Sequence, residues 1–213
     1  MAGIRHHYSL LPPVIKLLLI SNGVIFLLEM LATNFLLGNF ALWPLASDSI
    51  VFTEPQLYSF MPWQLISYGF LHGSVMHLLL NMYALWLFGA ALENLWGART
   101  FAIYYLFCLA GAGITQIVIT SIVGDYYPTI GASGGVFGIL LAYGLFFPDR
   151  VFILLIPPMP IKAKWMVVIY GAIELWFGVT GTAAGVAHFA HLGGMLFGFL
   201  LIYYWMNHPP VKR

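Results

Sequence analysis

Long apolar runs alternate with short polar or aromatic stretches along this 213-residue chain. The runs fall at about residues 16–37, 74–92, 100–123, 132–147, 161–179 and 183–206. Roughly 20 apolar residues in helical conformation span a hydrocarbon core of ~30 Å. The pattern therefore predicts an all-α fold, a polytopic six-transmembrane-helix bundle forming one domain over residues 1–213. The connection over residues 38–70 carries Trp43, Pro44, Pro62 and Trp63, a mixture suited to a segment lying at the membrane surface. The fourth run is short. At ~1.5 Å per residue its roughly 15 residues reach only ~22 Å. With its far end near Phe147 at one interface, its N-terminus stops below the opposite surface. Backbone at that depth is tolerated only against protein or a water-filled cavity.

Composition sharpens this picture. Hydrophobic residues make up 62% of the chain and charged residues 7%, whereas soluble domains run near ~25% charged. The net charge of +1 leaves no basic footprint for nucleic acid. The single cysteine, Cys108, excludes an internal disulfide and reads as a small apolar filler. The N-terminal stretch has no apolar core followed by a small-residue cleavage site, so no removable signal peptide is expected. Six crossings place Arg5, Lys16, Arg99, Arg150, Lys162, Lys164, Lys212 and Arg213 at one side, against Asp48, Glu54 and Asp125 at the other. By the positive-inside rule both termini face the cytoplasm; the location expected is a bacterial inner (cytoplasmic) membrane. The N-terminus of the fourth run then faces outward.

That N-terminus reads Gly131-Ala132-Ser133-Gly134. Small-residue clusters in membrane helices usually serve helix packing. A serine among glycines is also one way to build an accessible nucleophile, and free N–H groups at a helix N-terminus bind anions. In the second run His77 and Asn81 lie one helical turn apart on one face; both donate hydrogen bonds, and both would also serve as interhelical glue. In the sixth run His191, Gly194 and Gly198 share a face. Gly134 and Gly138 repeat the small-xxx-small spacing in the fourth. Close approach of the two glycine faces would carry His191 toward Ser133. A hydroxyl needs such a base to become a nucleophile, and His77, Asn81 and the Ser133 N–H would supply donors for an oxyanion. A two-histidine metal site at His77 and His191 lacks an obvious third ligand. Of the two histidines in the sixth run, His191 is expected to be the base and His188 a polar lining or interfacial residue. Glu29 and Glu174 are embedded in apolar runs, where a charge costs ~2.5–3.5 kcal/mol or more; interhelical hydrogen bonding is the expected role of each.

The set resembles the rhomboid family of intramembrane serine proteases. The resemblance rests on His72-xxxx-His77-xxx-Asn81, Gly131-Ala132-Ser133-Gly134 and Ala190-His191-xx-Gly194-xxx-Gly198, with Glu93-xxx-Gly97 similar to the family's acidic-glycine turn. It covers almost the whole chain. It implies a Ser133–His191 dyad without a carboxylate third member, and an oxyanion hole of His77, Asn81 and the Ser133 backbone. It also implies supporting roles for His72, Gly131, Gly134, Gly194 and Gly198, and a ring at Phe137 stacked on the base. The substrates implied are transmembrane proteins entering from the lipid bilayer, between the second and fifth runs, with Trp176 and Phe177 as gate candidates. No metal or other cofactor is implied. The oligomeric state stays open. One departure is Trp63-Gln64, where the family often has Trp-Arg; it bears on the geometry of the first loop. The expectation is a rhomboid-type serine endopeptidase. The alternative is a catalytically inactive rhomboid-like protein that binds membrane clients. A transporter would show internal repeats and paired broken helices, and neither is visible.

Overall fold

A computed structural model describes residues 8–45, 58–155, 158–182 and 186–210. Arg5, Asp48, Glu54, Lys212 and Arg213 from the charge pattern lie outside the described residues. The architecture is an all-α membrane bundle. Helix α1 (Pro13–Leu31) leads to α2 (Thr33–Phe40), and α3 (Gln64–Ser67) runs into a 3-10 turn at Tyr68–Phe70. Then come α4 (Val75–Trp96), α5 (Ala98–Val123) and the short α6 (Ser133–Phe146). A hairpin of β1 (Val151–Leu155) and β2 (Pro158–Lys162) precedes α7 (Ala163–Thr180) and α8 (His188–Asn207). Five of these helices, α1, α4, α5, α7 and α8, are long and apolar enough to cross a membrane. The sixth apolar helix, α6, has 14 residues, as short as its sequence predicts.

Three boundaries differ from the apolar pattern. The first run is not one helix: Ala32 leaves helical geometry at φ −139° and ψ 45°, and Thr33 turns its hydroxyl back onto the Glu29 carbonyl at 2.6 Å. The fifth run starts two residues later, because Ile161 and Lys162 pair with Phe152 and Val151 in the hairpin. Proline is tolerated there since a two-stranded ribbon is all edge. In the sixth run the helix begins at His188; residues 183–185 lie outside the described residues.

Polar side chains fix how the helices enter the bundle. Pro13 starts α1 where no N–H is needed. The next two N–H groups, of Val14 and Ile15, donate to the two Glu93 oxygens at 2.9 and 2.8 Å. A carboxylate there satisfies orphan donors and meets the positive end of the helix dipole. Four residues on, Gly97 turns α4 into α5 at φ 82°, which an L side chain rarely adopts. At the opposite end of the bundle, Leu42 and Thr129 form a backbone bridge, and the Gly131 N–H donates to the Tyr68 carbonyl at 2.9 Å.

Gln64, standing where an arginine was expected, is fully buried and ties the first loop together. Its Oε1 accepts from the Trp43 and Met61 N–H groups, each at 3.2 Å, and its Nε2 donates to the Asn39 carbonyl at 3.4 Å. A neutral amide thus holds the loop. Glu29 accepts the His72 N–H at 3.0 Å, a bond to the connection before α4 rather than to another helix.

The core is built where α5, α6 and α8 meet. A Cβ at Gly194 of α8 would collide with the Gly134 carbonyl oxygen of α6. One at Gly138 would lie 3.0 Å from the Gly194 carbonyl and strike Cys108 Sγ. These glycines let two backbones touch. Gly198 does something else: a Cβ there would strike the Tyr104 hydroxyl of α5. The expected Gly198 contact with the fourth run is therefore corrected. Tyr104 occupies that space because its hydroxyl donates to the Gly138 carbonyl at 2.8 Å.

Candidate active site

Ser133 is the first residue of α6. Groups in the first turn of a helix have no intrahelical acceptor for their N–H, so the serine brings a hydroxyl and free backbone donors to one place. The chain enters this turn through Gly131 at φ 121°. Its missing side chain matters twice, since a Cβ would sit 2.8 Å from His77 Cε1 and Nε2 and 3.7 Å from Ser133 Oγ. Gly131 leaves room for the His77 ring of α4 on the serine's side of the turn. Ser133 itself is half-buried.

His191 lies one turn into α8, 8% exposed. Its Nε2 is 2.7 Å from Ser133 Oγ. The Phe137 ring, one turn along α6 from the serine, stacks on the imidazole with centroids 4.3 Å apart and planes within 6°. The Gly134–Gly194 contact fixes the depth at which these groups meet. Ser133, Gly131, Phe137, His191 and His77 are thus brought together at one end of α6.

Three predicted residues sit differently. Asn81 is buried, and its amide donates to the His77 carbonyl of its own helix at 3.0 Å. His72 is buried behind His77, ring centroids 5.0 Å apart and edge-on; it backs the oxyanion candidate and does not reach the serine. His188 is neither a polar lining nor an interfacial residue: it is 7% exposed, and its Nδ1 is 2.6 Å from Glu174 Oε2.

Glu174 is the residue whose place the sequence did not reveal. It comes from α7, is buried, and bonds across to α8, so the expected interhelical hydrogen bonding is present. The same Oε2 lies 2.9 Å from His191 Nδ1. The ring N–H direction falls off that oxygen, so the contact is a close approach and not a formed hydrogen bond. Glu174, His188 and His191 are zinc-ligand types with ligating atoms within 4.8 Å. Yet ligands ~2.0–2.1 Å from a tetrahedral ion stay roughly 3.3 Å apart. Separations of 2.6 and 2.9 Å are closer than two ligands of one such ion stand.

Five long apolar helices define a helical integral membrane protein, and at the head of its short sixth apolar helix a serine and an imidazole are in hydrogen-bond contact. The sequence comparisons agree. A model of the rhomboid domain matches residues 59–208, and the chain belongs to the rhomboid family. It is 31% identical to the mitochondrial presenilin-associated rhomboid-like protein of Mus musculus over 150 residues, 68% of this chain and 40% of that protein. It is 33% identical to the mitochondrial rhomboid protein 1 of Saccharomyces cerevisiae over 161 residues, 70% of this chain and 43% of that one. It is also 34% identical to the rhomboid protease GluP of Bacillus subtilis over 139 residues, 64% of this chain and 25% of that one. The chain therefore spans less than half the length of these curated relatives.

Proposed function

We propose that this chain is an intramembrane serine endopeptidase that hydrolyses peptide bonds in or near transmembrane segments of other membrane proteins. The observation that carries the reading is the 2.7 Å contact between His191 Nε2 and Ser133 Oγ. In this mechanism Oγ attacks the scissile carbonyl carbon while Nε2 takes its proton. The tetrahedral oxyanion rests against the Ser133 N–H and the His77 ring, with Asn81 as a third donor once its amide turns from the helix. Collapse breaks the C–N bond, and His191 passes the proton to the leaving amine. Water, activated by the same imidazole, then cleaves the acyl-enzyme. Phe137 keeps the ring plane fixed through both steps.

Substrate enters from the bilayer between α4 and α7. That route is supported by α7 packing on α8, α6 and β2 without extensive contact to α4. The exposed Trp176 and the neighbouring Phe177 line α7 near His188. The end carrying Arg99, Arg150, Lys162 and Lys164 faces the cytoplasm of a bacterial cell, and the Ser133 end faces outward.

The test is labelling of detergent-solubilised protein with a fluorophosphonate, together with cleavage of a model transmembrane substrate. Wild type is expected to do both, and Ser133→Ala and His191→Ala neither. Undiminished cleavage by Ser133→Ala would sink the mechanism. A folded wild type that binds the substrate without cutting it would favour the client-binding alternative.

A further inference from the structure

We propose that Glu174 completes a serine–histidine–glutamate relay, holding His191 in the tautomer that leaves Nε2 free to accept the Ser133 proton. The proposal rests on the reading of Ser133 and His191 as nucleophile and base, and it makes Glu174 a positioning residue. Three observations converge on it. First, one carboxylate oxygen, Oε2, lies 2.9 Å from His191 Nδ1 and 2.6 Å from His188 Nδ1. Second, all three side chains are buried, with Glu174 9%, His188 7% and His191 8% exposed. Third, the opposite nitrogen of the same ring is the one that contacts Ser133 Oγ.

The proton logic follows. A neutral imidazole carries one N–H. An acidic oxygen at Nδ1 makes that nitrogen the donor, so Nε2 presents its lone pair to the hydroxyl. When Nε2 takes the Ser133 proton, the imidazolium faces a carboxylate that stays ionised and favours the charged ring. Glu174 takes no proton and touches no substrate. His188 donates to the same oxygen from one turn away on α8, which fixes the rotamer of an acid supplied by a different helix. The titratable groups facing His191 are Glu174 from α7, His188 from its own helix and His77 from α4. Among them Glu174 alone brings negative charge.

A merely structural strut would make other demands. Glu174→Gln keeps the side-chain volume and a carbonyl acceptor but removes the charge. The expected result is a fall in kcat of ~10²–10⁴-fold with KM nearly unchanged. The acid limb of the kcat profile should move to lower pH, because the imidazolium loses its counter-charge. Glu174→Asp, one methylene shorter but still charged, should restore part of kcat and leave the acid limb in place. Nitrogen-15 histidine spectra of the detergent-solubilised wild type provide a readout that needs no catalysis. They are expected to show His191 as the Nδ1–H tautomer, and Glu174→Gln to shift it toward Nε2–H. A Glu174→Gln enzyme with a lower melting temperature but unaltered kcat, acid limb and tautomer would overturn the proposal. So would a wild-type His191 protonated at Nε2, and that result stands even where Glu174→Gln fails to fold. Should Ser133 prove unreactive in wild type, the protease reading falls alone, and the His191 tautomer still decides the role of Glu174.

Discussion

Helix α8 has two neighbours of very different character. Toward α6 and α5 it meets backbone, a rigid buried ring and a short branched side chain: Gly194 lies against the Gly134 carbonyl, Gly198 against Tyr104, and Gly193 against Thr115. Toward α7 it meets side chains alone: the flexible Met195 thioether reaches Gly171 at ordinary contact distance, and the Phe189 ring edge lies closer to Gly178. Burial follows the same division. In the most apolar stretch of α5 and of α8, 39% of residues are buried inside the protein, against 22% for α7. A serine and its base must be held to a fraction of an ångström, since a ~1 Å misplacement costs ~10²-fold in rate. Both are mounted on the tight side. Glu174 and the exposed Trp176 are mounted on the loose side, from which the proposed substrate would enter. On that reading the tight face of α8 holds the proposed nucleophile and base together, while the loose face carries both the orienting acid and the entry route.

The strongest way to break this contrast is a single methyl group on the tight face. Gly194→Ala places a Cβ on the Gly134 carbonyl oxygen, a backbone atom that cannot rotate away. The two helices must separate, and Tyr104 and Cys108 behind them are already buried. The expected loss of stability is at the upper end of the ~1–3 kcal/mol typical of overpacking, and fluorophosphonate labelling should fall with it as His191 leaves Ser133. Thermal melts and labelling rates of the same preparation check both. A variant with wild-type melting and labelling would mean that the backbones do not meet there.

A second prediction concerns the framework behind the oxyanion candidates and works through pH. Burial pushes the His72 imidazole down to about 4, the neighbouring His77 adds to the fall, and the Phe70 carbonyl opposes it. In the unfolded chain the same ring takes its proton near ~6.5. Between those values the unfolded state binds more protons, so the stability difference is fully present above 6.5 and is lost as pH falls toward 4. At ~1.4 kcal/mol per unit the loss is of order 3 kcal/mol. Melting temperature should therefore drop more steeply from about pH 7.5 to about pH 4.5 in wild type than in His72→Asn. Parallel slopes would show that His72 titrates freely in the folded protein.

How far the sequence reveals these two faces is itself unequal. A 3.6-residue period projects His191, Gly194 and Gly198 onto one stripe and Gly134 and Gly138 onto another, with Ser133 one residue before the second, so the glycines of the tight face are legible in the sequence. What the period does not carry is which neighbour each part of a stripe meets. Gly198 looks like Gly194 in sequence but faces Tyr104, because α5 crosses there. Glu174 is conspicuous as an acid in an apolar helix, yet its partners depend on how α7 is rotated about its own axis, and a sparsely packed helix has few residues that fix that rotation. The break at Ala32 hides inside an unbroken apolar pattern because it is a matter of one residue's dihedral angles. The hairpin at residues 151–162 hides behind prolines that argue against a strand anywhere but at an edge. Gln64 shows the converse. The missing arginine is visible in sequence, but only the fold shows an amide bonding to Trp43, Met61 and Asn39 in its place.

The smallest expected effect is also the sharpest comparison, because it applies the same one-methyl change to the loose face. A Cβ at Gly171 of α7 would lie 3.4 Å from Met195 Cε and 3.8 Å from its sulfur. Those are ordinary contact distances, and the neighbour is the far end of an unbranched side chain that re-packs readily. Nothing has to move. Glycine inside a helix is less favourable than alanine by up to ~1 kcal/mol, so Gly171→Ala is expected to leave stability unchanged or raise it slightly, opposite in sign to Gly194→Ala. Labelling of Ser133 by a small fluorophosphonate should be unaffected, since the change lies away from the hydroxyl and its base. Melting temperatures of the two alanine variants, measured side by side, decide the matter. If Gly171→Ala destabilises the protein as much as Gly194→Ala does, then α7 is as tightly seated as α6, and the division of α8 into a tight face and a loose face is lost. If the signs differ, the looseness of α7 belongs to its interface with α8 and not to a generally weak bundle.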